Sequence, residues 1–260
     1  MTNSHPLTNR LRKRFKHLSK WARRNEFTAY RLYNRDLTEY PVIMDWYDGI
    51  VVLWALDDFD PTAIIPFISE ALGIEKDCIF IKTREKQKGL QSQYQKLKTE
   101  SVTHIIKERD LFFEVNLSDY LDTGWFLDHR NTRQLCKTLS QNKRVLNLFA
   151  YTGSFTCYAL AGGALATTTV DLNANYIEWA KRNIKLNGFE ERASDRFIAD
   201  NCLSFVKLDA AKNRYDVIIC DPPTFSNSKK MKGAFDINRD YPDLLRSEEH
   251  TSELQSPDHL

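Results

Sequence analysis

The 260-residue sequence lacks the cysteine patterns that mark metal sites and disulfide frameworks. It contains five cysteines, with no Cys-x-x-Cys pair and no cluster of Cys and His at metal-ligand spacing. We therefore predict reduced, mostly buried thiols and no metal site. The five residues are Cys78, Cys136, Cys157, Cys202 and Cys220.

Long hydrophobic runs are also missing. The longest uninterrupted apolar run, Ile50–Leu56, has seven residues, whereas a membrane-spanning helix needs about 20. The N-terminus is basic, but charges interrupt its apolar residues, so it has no signal-peptide core. A content of 42% hydrophobic and 28% charged residues is typical of soluble globular proteins. We expect a cytoplasmic protein with no membrane partner.

Acidic residues are absent from one basic segment, Arg10–Arg24, which contains eight Lys and Arg. Because the whole chain carries +2 and this segment +8, the remainder carries −6. A basic segment on an otherwise acidic protein predicts a contact with RNA, although a solvated helix face is the alternative. The predicted RNA-binding residues are Arg10, Arg12, Lys13, Arg14, Lys16 and Lys20.

Residues 1–115 have the pattern of a small α+β module. Apolar residues recur at helical spacing through the basic segment, which indicates an amphipathic helix. Tyr47-Asp48-Gly49 is a hairpin signal, and an exposed loop is expected over Arg84–Lys98. The predicted elements are a hairpin (Pro41–Trp46, Ile50–Ala55), a helix (Pro61–Leu72) and strands (Cys78–Lys82, Ile105–Lys107, Leu111–Val115).

From Asn131 onwards, predicted strands alternate with predicted helices. This order is typical of an α/β fold with a doubly wound, parallel sheet, which binds ligands at the carboxyl ends of its strands. The predicted strands are Arg144–Phe149, Ala166–Asp171, Asp195–Ala199 and Tyr215–Cys220. The helices between them are Ser154–Ala161, Ala174–Leu186 and Cys202–Leu208.

The first strand of this sheet is followed by a turn with a single glycine. A turn that opens a helix presents free backbone N–H groups, and Gly153 permits close approach of a ligand. The turn lacks the glycine pair of a dinucleotide site, which argues against NAD. An ordinary strand-to-helix turn is the alternative. The candidate ligand-binding residues are Phe149, Tyr151, Thr152, Gly153 and Ser154.

Acidic residues close the second and third strands. Asp171 lies 18 residues after Gly153, near the position where such folds bind ribose hydroxyls. Asp200 follows the third strand and can accept a hydrogen bond from an adenine amino group. Helix capping is the alternative for both carboxylates, and Asn173 could cap instead of Asp171.

A rigid turn, Asp221-Pro222-Pro223-Thr224-Phe225, follows the fourth strand. Two prolines fix an extended turn with no N–H donors of their own, and Phe225 can stack on a base. The turn resembles the (Asp/Asn)-Pro-Pro-(Tyr/Phe) signature of methyltransferases that act on nucleobase or amide nitrogen. Asp221, Pro222 and Phe225 are therefore the candidate catalytic residues, and a tight structural turn is the alternative.

The stretch from Phe113 to Tyr241 resembles a particular family: the guanine-N7 methyltransferase domain of the bifunctional bacterial 23S rRNA methyltransferase. The similarity includes Val115–Arg130, with Leu-Asp-Thr-Gly at 121–124, as well as the first turn and Asp221–Phe225. It implies a Rossmann-like class I fold, S-adenosylmethionine as cofactor and 23S rRNA as partner. In that family a guanine-N2 methyltransferase half precedes this domain, so the parent protein is expected to carry one.

The resemblance adds three residues to the cofactor site. It implies that the Tyr120–Arg130 loop, together with the turns above, surrounds S-adenosylmethionine. Tyr120 belongs to that loop, and Asp128 and Arg130 would arrange the cofactor and close the site. The alternative is that Asp128 and Arg130 simply pair with each other.

Guanine N7 has an in-plane lone pair, so its methylation needs no base and rests on proximity. Phe225 and Tyr151 are candidate platforms for a splayed-out guanine. One alternative is a related rRNA cytosine-C5 methyltransferase, which activates the ring with a cysteine. Cys220 directly precedes the Asp-Pro-Pro turn, but it belongs to the predicted strand. Another is a non-catalytic RNA-binding or ribosome-assembly factor.

The last residues do not continue the pattern. Arg246–Ser256 resembles the conceptual translation of a sequencing adapter, and residues 246–260 are polar without apolar periodicity. We expect a non-native tail there and a methyltransferase domain over residues 116–245. A complete sheet of this class has seven strands, and the pattern predicts four, so we expect an incomplete sheet.

Overall fold

The computed structural model describes residues 5–56, 58–83, 102–118, 122–209, 214–223, 225–226 and 235–236. The chain divides into two compact units, residues 1–127 and 128–260. The sequence placed the boundary earlier, after residue 115. The residues after 115 belong to the first unit because the hydroxyl of Thr123 hydrogen-bonds that of Tyr47. Within this stretch, Asn116 N–H donates to the Thr123 carbonyl over 2.9 Å. The Arg84–Lys98 loop and the 246–260 tail lie outside the described residues.

In its described residues, the first unit combines two α-helices with two small sheets. Its main sheet has the order β1-β2-β3-β4, antiparallel except for the parallel β3–β4 pair, and β5 and β6 form a hairpin. A core that includes Leu7 and Leu11 of the first helix packs against Leu32, Met44 and Ile68. The elements are α1 (Pro6–Arg24), β1 (Ala29–Asn34), β2 (Val42–Tyr47), β3 (Ile50–Ala55), α2 (Ile65–Leu72), β4 (Ile79–Thr83), β5 (Thr103–Glu108) and β6 (Leu111–Asn116).

Strand β1 was not predicted from the sequence. A β-bulge between Arg31 and Tyr33 shifts its register against β2. The bulge breaks the alternation of buried and exposed residues, so that two buried residues are followed by one exposed residue, twice along the strand. Because period-two alternation is the local signal of a half-buried strand, it is weak here.

The second unit is a parallel α/β sheet. The strand order is β10-β7-β8-β9, with every pair parallel, so the first strand along the chain lies inside the sheet and the order reverses beside it. This is the doubly wound arrangement predicted from the sequence. The elements are α3 (Arg130–Leu139), β7 (Arg144–Leu148), α4 (Ser154–Ala161), β8 (Ala166–Asp171), α5 (Ala174–Leu186), β9 (Arg196–Ala199), α6 (Cys202–Asp209), β10 (Val217–Cys220), β11 (Phe225–Ser226) and β12 (Phe235–Asp236).

Alternate residues of β7 and β10 pack on opposite faces of this sheet. Val145 joins a cluster with Phe155 and Ala159 of α4 on one face. Leu146 and Leu148 join a cluster with α6 on the other face, together with Cys220. All four residues of β10 are only half-buried, and β10 is the edge strand of the sheet in the part of the chain that the structure describes. None of the described helices is long and apolar enough to span a membrane.

Candidate active site

The register of the sheet places the predicted site segments side by side. Cys220, Leu148, Val170 and Ile198 form one row across the four strands. The next residue of each strand therefore lies at the same carboxyl edge, which brings Asp221 and Asp171 to the two sides of Phe149. With about 4.8 Å between neighbouring strands, their backbones are about 10 Å apart.

The turn after β7 adopts an unusual backbone. Phe149, Tyr151 and Gly153 have positive φ angles of 54°, 50° and 71°, and such angles are uncommon for residues with a side chain. Three hydrogen bonds hold the strained turn: Phe149 N–H to Cys202 Sγ (3.2 Å), Ala150 N–H to the Val170 carbonyl (3.0 Å) and Tyr151 N–H to Asp171 Oδ2 (2.9 Å). Strain of this kind persists where the surroundings enforce it, as at ligand sites.

Gly153 is required by the fold as well as by its backbone angle. A side chain at this position would collide with the Cβ of Ala180 on α5. The sequence suggested only that Gly153 admits a ligand, and the contact with α5, 27 positions further along, could not be inferred from the turn itself. The glycine therefore lets α5 pack directly on the turn.

The start of α4 leaves backbone donors available. The N-cap residue of this eight-residue helix is Gly153, which has no side chain to cap it. The first N–H groups of a helix have no partners within it and attract polar ligand groups. Ser154 is half-buried at the first helical position. Thr152 is buried, and its carbonyl accepts from Asn183 Nδ2 over 2.9 Å, which braces the turn against α5.

Asp171 connects the two turns that follow β7 and β8. Its Oδ2 accepts from Tyr151 N–H and its Oδ1 from Asn173 N–H, both over 2.9 Å. Burial raises the pKa of this carboxyl, and the two hydrogen bonds oppose the shift. The cap of α5 is Asn173, whose Oδ1 accepts from Asn175 N–H over 3.0 Å. Asp171 is therefore not the cap, and each of its oxygens keeps a second lone pair.

Asp200 is exposed beside Asp171. Its backbone N–H donates to the Asp171 carbonyl over 3.0 Å, and its Oδ1 accepts from Asn201 N–H over 2.7 Å. Asn201 in turn accepts from Leu203 N–H at the start of α6 over 2.9 Å. As at Asp171, a nearby asparagine bonds the helix N-terminus, which leaves the aspartate side chain at the edge of the sheet.

Asp221 lies on the other side of Phe149. Its side chain is half-exposed, and Oδ2 is 3.4 Å from Nδ1 of His129. Burial raises the pKa of Asp221, the charge of His129 lowers it, and that of Asp128 raises it. Pro222 and Pro223 are half-buried.

The remaining predicted residues are placed as follows. Asp128 is exposed in the 3-10 turn before α3, and Arg130 is half-buried at the first position of that helix. The backbone of Phe225 forms β11, paired with Asp236 of β12, and its side chain lies outside the described part of the structure. Tyr120 lies outside the described residues altogether. His129 was missed as a site residue, although it stands between Asp128 and Arg130 in the stretch that carries the resemblance.

The ring of Tyr151 packs on the β8 side of the site. It meets the ring of Tyr176 edge-on, with 4.6 Å between centroids, and lies 6.3 Å from the ring of Trp179. Both partners belong to α5. This location favours a wall of the cofactor site over a platform for a guanine next to Asp221.

The described cysteines near the site are packed rather than exposed. Cys220 is half-buried in the apolar cluster on the α6 face of the sheet. Burial raises the pKa of Cys202 to about 12 and that of Cys136 to about 11, so both are neutral thiols at physiological pH.

The residue pattern at the strand ends agrees with the comparison with known proteins. A model of the S-adenosylmethionine-dependent methyltransferase family matches residues 79–257, more than half of the chain. The chain belongs to this family. Its cofactor is S-adenosylmethionine.

Several relatives of this methyltransferase are named ribosomal RNA large subunit methyltransferase K/L. The protein of Shewanella amazonensis is 45% identical over 252 residues, which cover 93% of this chain and 35% of the relative. That of Methylococcus capsulatus is 44% identical over 257 residues, covering 94% and 35%. The chain therefore spans about a third of the length of the curated relatives it matches.

Solved structures share the fold. A crystal structure of a methyltransferase complexed with SAH is 26% identical, with a TM-score of 0.73, and the match covers 95% of this chain and 65% of that one. A SAM-dependent methyltransferase from Streptococcus mutans is 25% identical, with a TM-score of 0.75 and coverage of 97% and 65%.

The residues at the strand ends fit an adenosyl cofactor. Asp171 and Asp200 offer acceptors at adjacent strand ends, as hydroxyl and amino donors require. The uncapped start of α4 offers N–H donors on the β7 side, and the Tyr151 ring offers an apolar wall.

Proposed function

We propose that this methyltransferase transfers a methyl group to N7 of a guanine in 23S rRNA. The observation that carries the proposal is the position of Asp221-Pro222-Pro223. The turn follows β10, next to the strained turn after β7 and two strands from Asp171. An acidic Pro-Pro turn at this point is typical of enzymes that methylate nitrogen, and the names of the K/L relatives support an rRNA substrate.

Each side of the site has a proposed role. Asp171 accepts from the ribose hydroxyls of the cofactor, Asp200 accepts from its adenine amino group, and the turn of residues 149–154 contacts its remaining polar groups. Tyr120, Asp128 and Arg130 close the site. S-adenosylmethionine supplies an electrophilic methyl group.

The described residues around Asp221 suit a reaction that needs no base. Guanine N7 presents a lone pair, so the protein has only to hold the base in line and exclude other orientations. Asp221 accepts from the N1–H or the N2 amino group of guanine and thereby fixes its in-plane rotation. Pro222 and Phe225 provide the stacking surface.

The alternative of cytosine-C5 methylation has less support. That reaction requires a thiolate that adds to the ring. Cys220, one residue before Asp221, packs into the apolar cluster on the α6 face, and Cys202 is neutral because burial raises its pKa to about 12. A non-catalytic assembly factor is a separate alternative, and detection of methyl transfer by the purified protein would exclude it.

Helix α1 is the proposed RNA contact, and its basic residues differ in their partners. Arg10 and Arg14 pair with Asp36, at 2.8 Å and 3.4 Å, and Arg12 pairs with Glu70 at 2.8 Å. Each of these three predicted RNA-binding arginines therefore has an acidic partner within the chain. The lysines carry the proposed contact, because they are exposed and form no ion pair with the described part of the chain. They are Lys13, Lys16 and Lys20, spaced along one face of α1.

The test of the chemistry compares Asp221→Ala with Cys220→Ser. Asp221→Ala should lower methyl transfer to 23S rRNA by roughly 10- to 100-fold, the value of a hydrogen bond to a charged group, while the melting temperature changes little. Cys220→Ser should retain activity. Mass spectrometry of nuclease-digested rRNA identifies the methylated base. Loss of activity in a folded Cys220→Ser variant, or 5-methylcytidine as product, would contradict the guanine-N7 proposal.

The test of the RNA contact replaces Lys13, Lys16 and Lys20 together by Glu. RNA affinity at low salt should fall. The negative slope of the logarithm of the association constant against the logarithm of the salt concentration should become shallower by about 2–3, since each phosphate contact contributes roughly 0.7–0.9. The matched control carries the same charge change at exposed lysines elsewhere, namely Lys76, Lys185 and Lys207. Equal effects of the two triple variants would show that only net charge matters.

A further inference from the structure

His129 contacts Asp221 across 92 positions of sequence. Its Nδ1 lies 3.4 Å from Asp221 Oδ2, and the two side chains are 29% and 50% exposed. The centroid of the His129 ring also lies 5.9 Å from that of Phe155 in the first turn of α4. The imidazole therefore lies near both the start of α4 and the Asp-Pro-Pro turn.

We propose that His129 is a positioning residue for Asp221, which it holds in place and in its charged form during methyl transfer. The inference rests on the proposed function, in which Asp221 accepts hydrogen bonds from guanine. Only the ionised carboxylate offers both oxygens as acceptors, because a protonated one presents an O–H donor on one side. A guanine that meets a protonated Asp221 would face donor against donor.

The surroundings of Asp221 act on its charge in opposite directions. Burial and the negative charge of Asp128 both favour protonation of Asp221, and the positive charge of His129 opposes them. Both neighbours come from the short turn before α3, and these two are the charged groups that act on Asp221 in the described part of the chain. Removal of the imidazole would leave burial and the charge of Asp128, which both raise the pKa of Asp221.

His129 also occupies the N-cap position of α3, where its side chain makes no cap hydrogen bond. His129→Asn is therefore the variant that keeps the fold, since Asn is a favoured N-cap residue and retains an N–H donor near the position of Nδ1. His129→Ala removes donor and charge together. Neither variant can carry the positive charge.

The first measurement follows Asp221 directly, by carboxyl-carbon NMR titration of the purified chain with Asp221→Asn identifying the signal. His129→Ala and His129→Asn should both raise the pKa of Asp221, and Asp128→Asn should lower it, each by about half a unit to one unit at this partly exposed site. Opposite shifts on replacing two adjacent residues are not expected from a general loss of structure. An unchanged Asp221 titration in folded His129→Ala and His129→Asn would overturn the proposal.

The second measurement is the pH profile of kcat/KM for methyl transfer to 23S rRNA. In both His129 variants the acidic limb should move to higher pH by about half a unit to one unit, so that on that limb the loss is about 3- to 10-fold greater than on the plateau at higher pH. The Asn variant should recover part of the Ala loss at the higher pH. A loss that is equal at every pH would reduce His129 to a structural residue. If the unaltered chain forms no 7-methylguanine, the proposed function fails, while the titration still decides the coupling.

Discussion

The two sides of β7 hold their carboxylates by different means. On the β8 side, Asp171 accepts two backbone N–H groups, from Tyr151 and Asn173. On the β10 side, Asp221 is held by an ionisable side chain, His129, at 3.4 Å. Burial raises the pKa of both carboxyls. The groups that oppose this shift are backbone N–H groups at Asp171 and the imidazole of His129 at Asp221.

The position of Asp171 is thus fixed by backbone groups, whereas that of Asp221 depends on one side chain. Backbone donors do not titrate, and their position is set by the strands and by the strained turn at residues 149–153. A side-chain partner such as His129 acts on Asp221 through its charge instead. We therefore expect the Asp171 side to respond mainly to changes in packing, and the Asp221 side to respond mainly to neighbouring charges.

The largest expected effect comes from Gly153→Ala on the Asp171 side. The substitution places a Cβ in a left-handed backbone conformation and against Ala180. Together these should cost about 2–4 kcal/mol of unfolding free energy, and binding of S-adenosylhomocysteine should be lost in parallel. Denaturant unfolding and calorimetry measure the two quantities.

Gly188→Ala is the matched control for Gly153→Ala. Gly188 has a similar φ of 73°, but a Cβ there meets nothing within 4 Å. It should cost about 1 kcal/mol, the value of the backbone conformation alone. Equal costs for the two variants would show that the contact with α5 is not what requires Gly153.

A smaller effect is expected from Asp171→Asn. The amide keeps one acceptor oxygen but points a donor at a backbone N–H that Asp171 now accepts, so the affinity for S-adenosylhomocysteine should fall by roughly tenfold or more. At Asp200→Asn the remaining amide oxygen can still serve Asn201, and the loss should be smaller. Isothermal calorimetry on both variants compares them; a greater loss at Asp200 would mean that Asp171 only braces the turns.

The smallest effect concerns pH. Because burial raises the pKa of Asp171, its carboxyl is protonated at a higher pH than an ordinary aspartate. Only the ionised form accepts with both oxygens, so S-adenosylhomocysteine affinity should stay constant at neutral pH and decline on acidification through that raised pKa. The decline should be absent in Asp171→Asn. Affinity that is independent of pH down to the ordinary aspartate range would contradict this role.

Much of the second unit could be predicted from local sequence. The predicted bounds of α4, α5 and β8 agree with the structure, because apolar periodicity and the residues at helix ends are local signals. The family resemblance, which rested on Asp221–Phe225 and the Val115–Arg130 stretch, is confirmed at the level of an S-adenosylmethionine-dependent methyltransferase. The guanine-N7 specificity and the individual site roles stay predictions.

The alternation of strands and helices follows from local sequence, and it implies that the chemically distinctive turns share one edge of a parallel sheet. How each turn is held there depends on contacts made in the folded chain. Asn173 and Asn201 bond the helix ends in place of the nearby aspartates, Gly153 accommodates α5, and His129 reaches Asp221. The packing of α5 on Gly153 and the meeting of His129 with Asp221 join residues far apart in the chain, and sequence periodicity carries information about one element at a time.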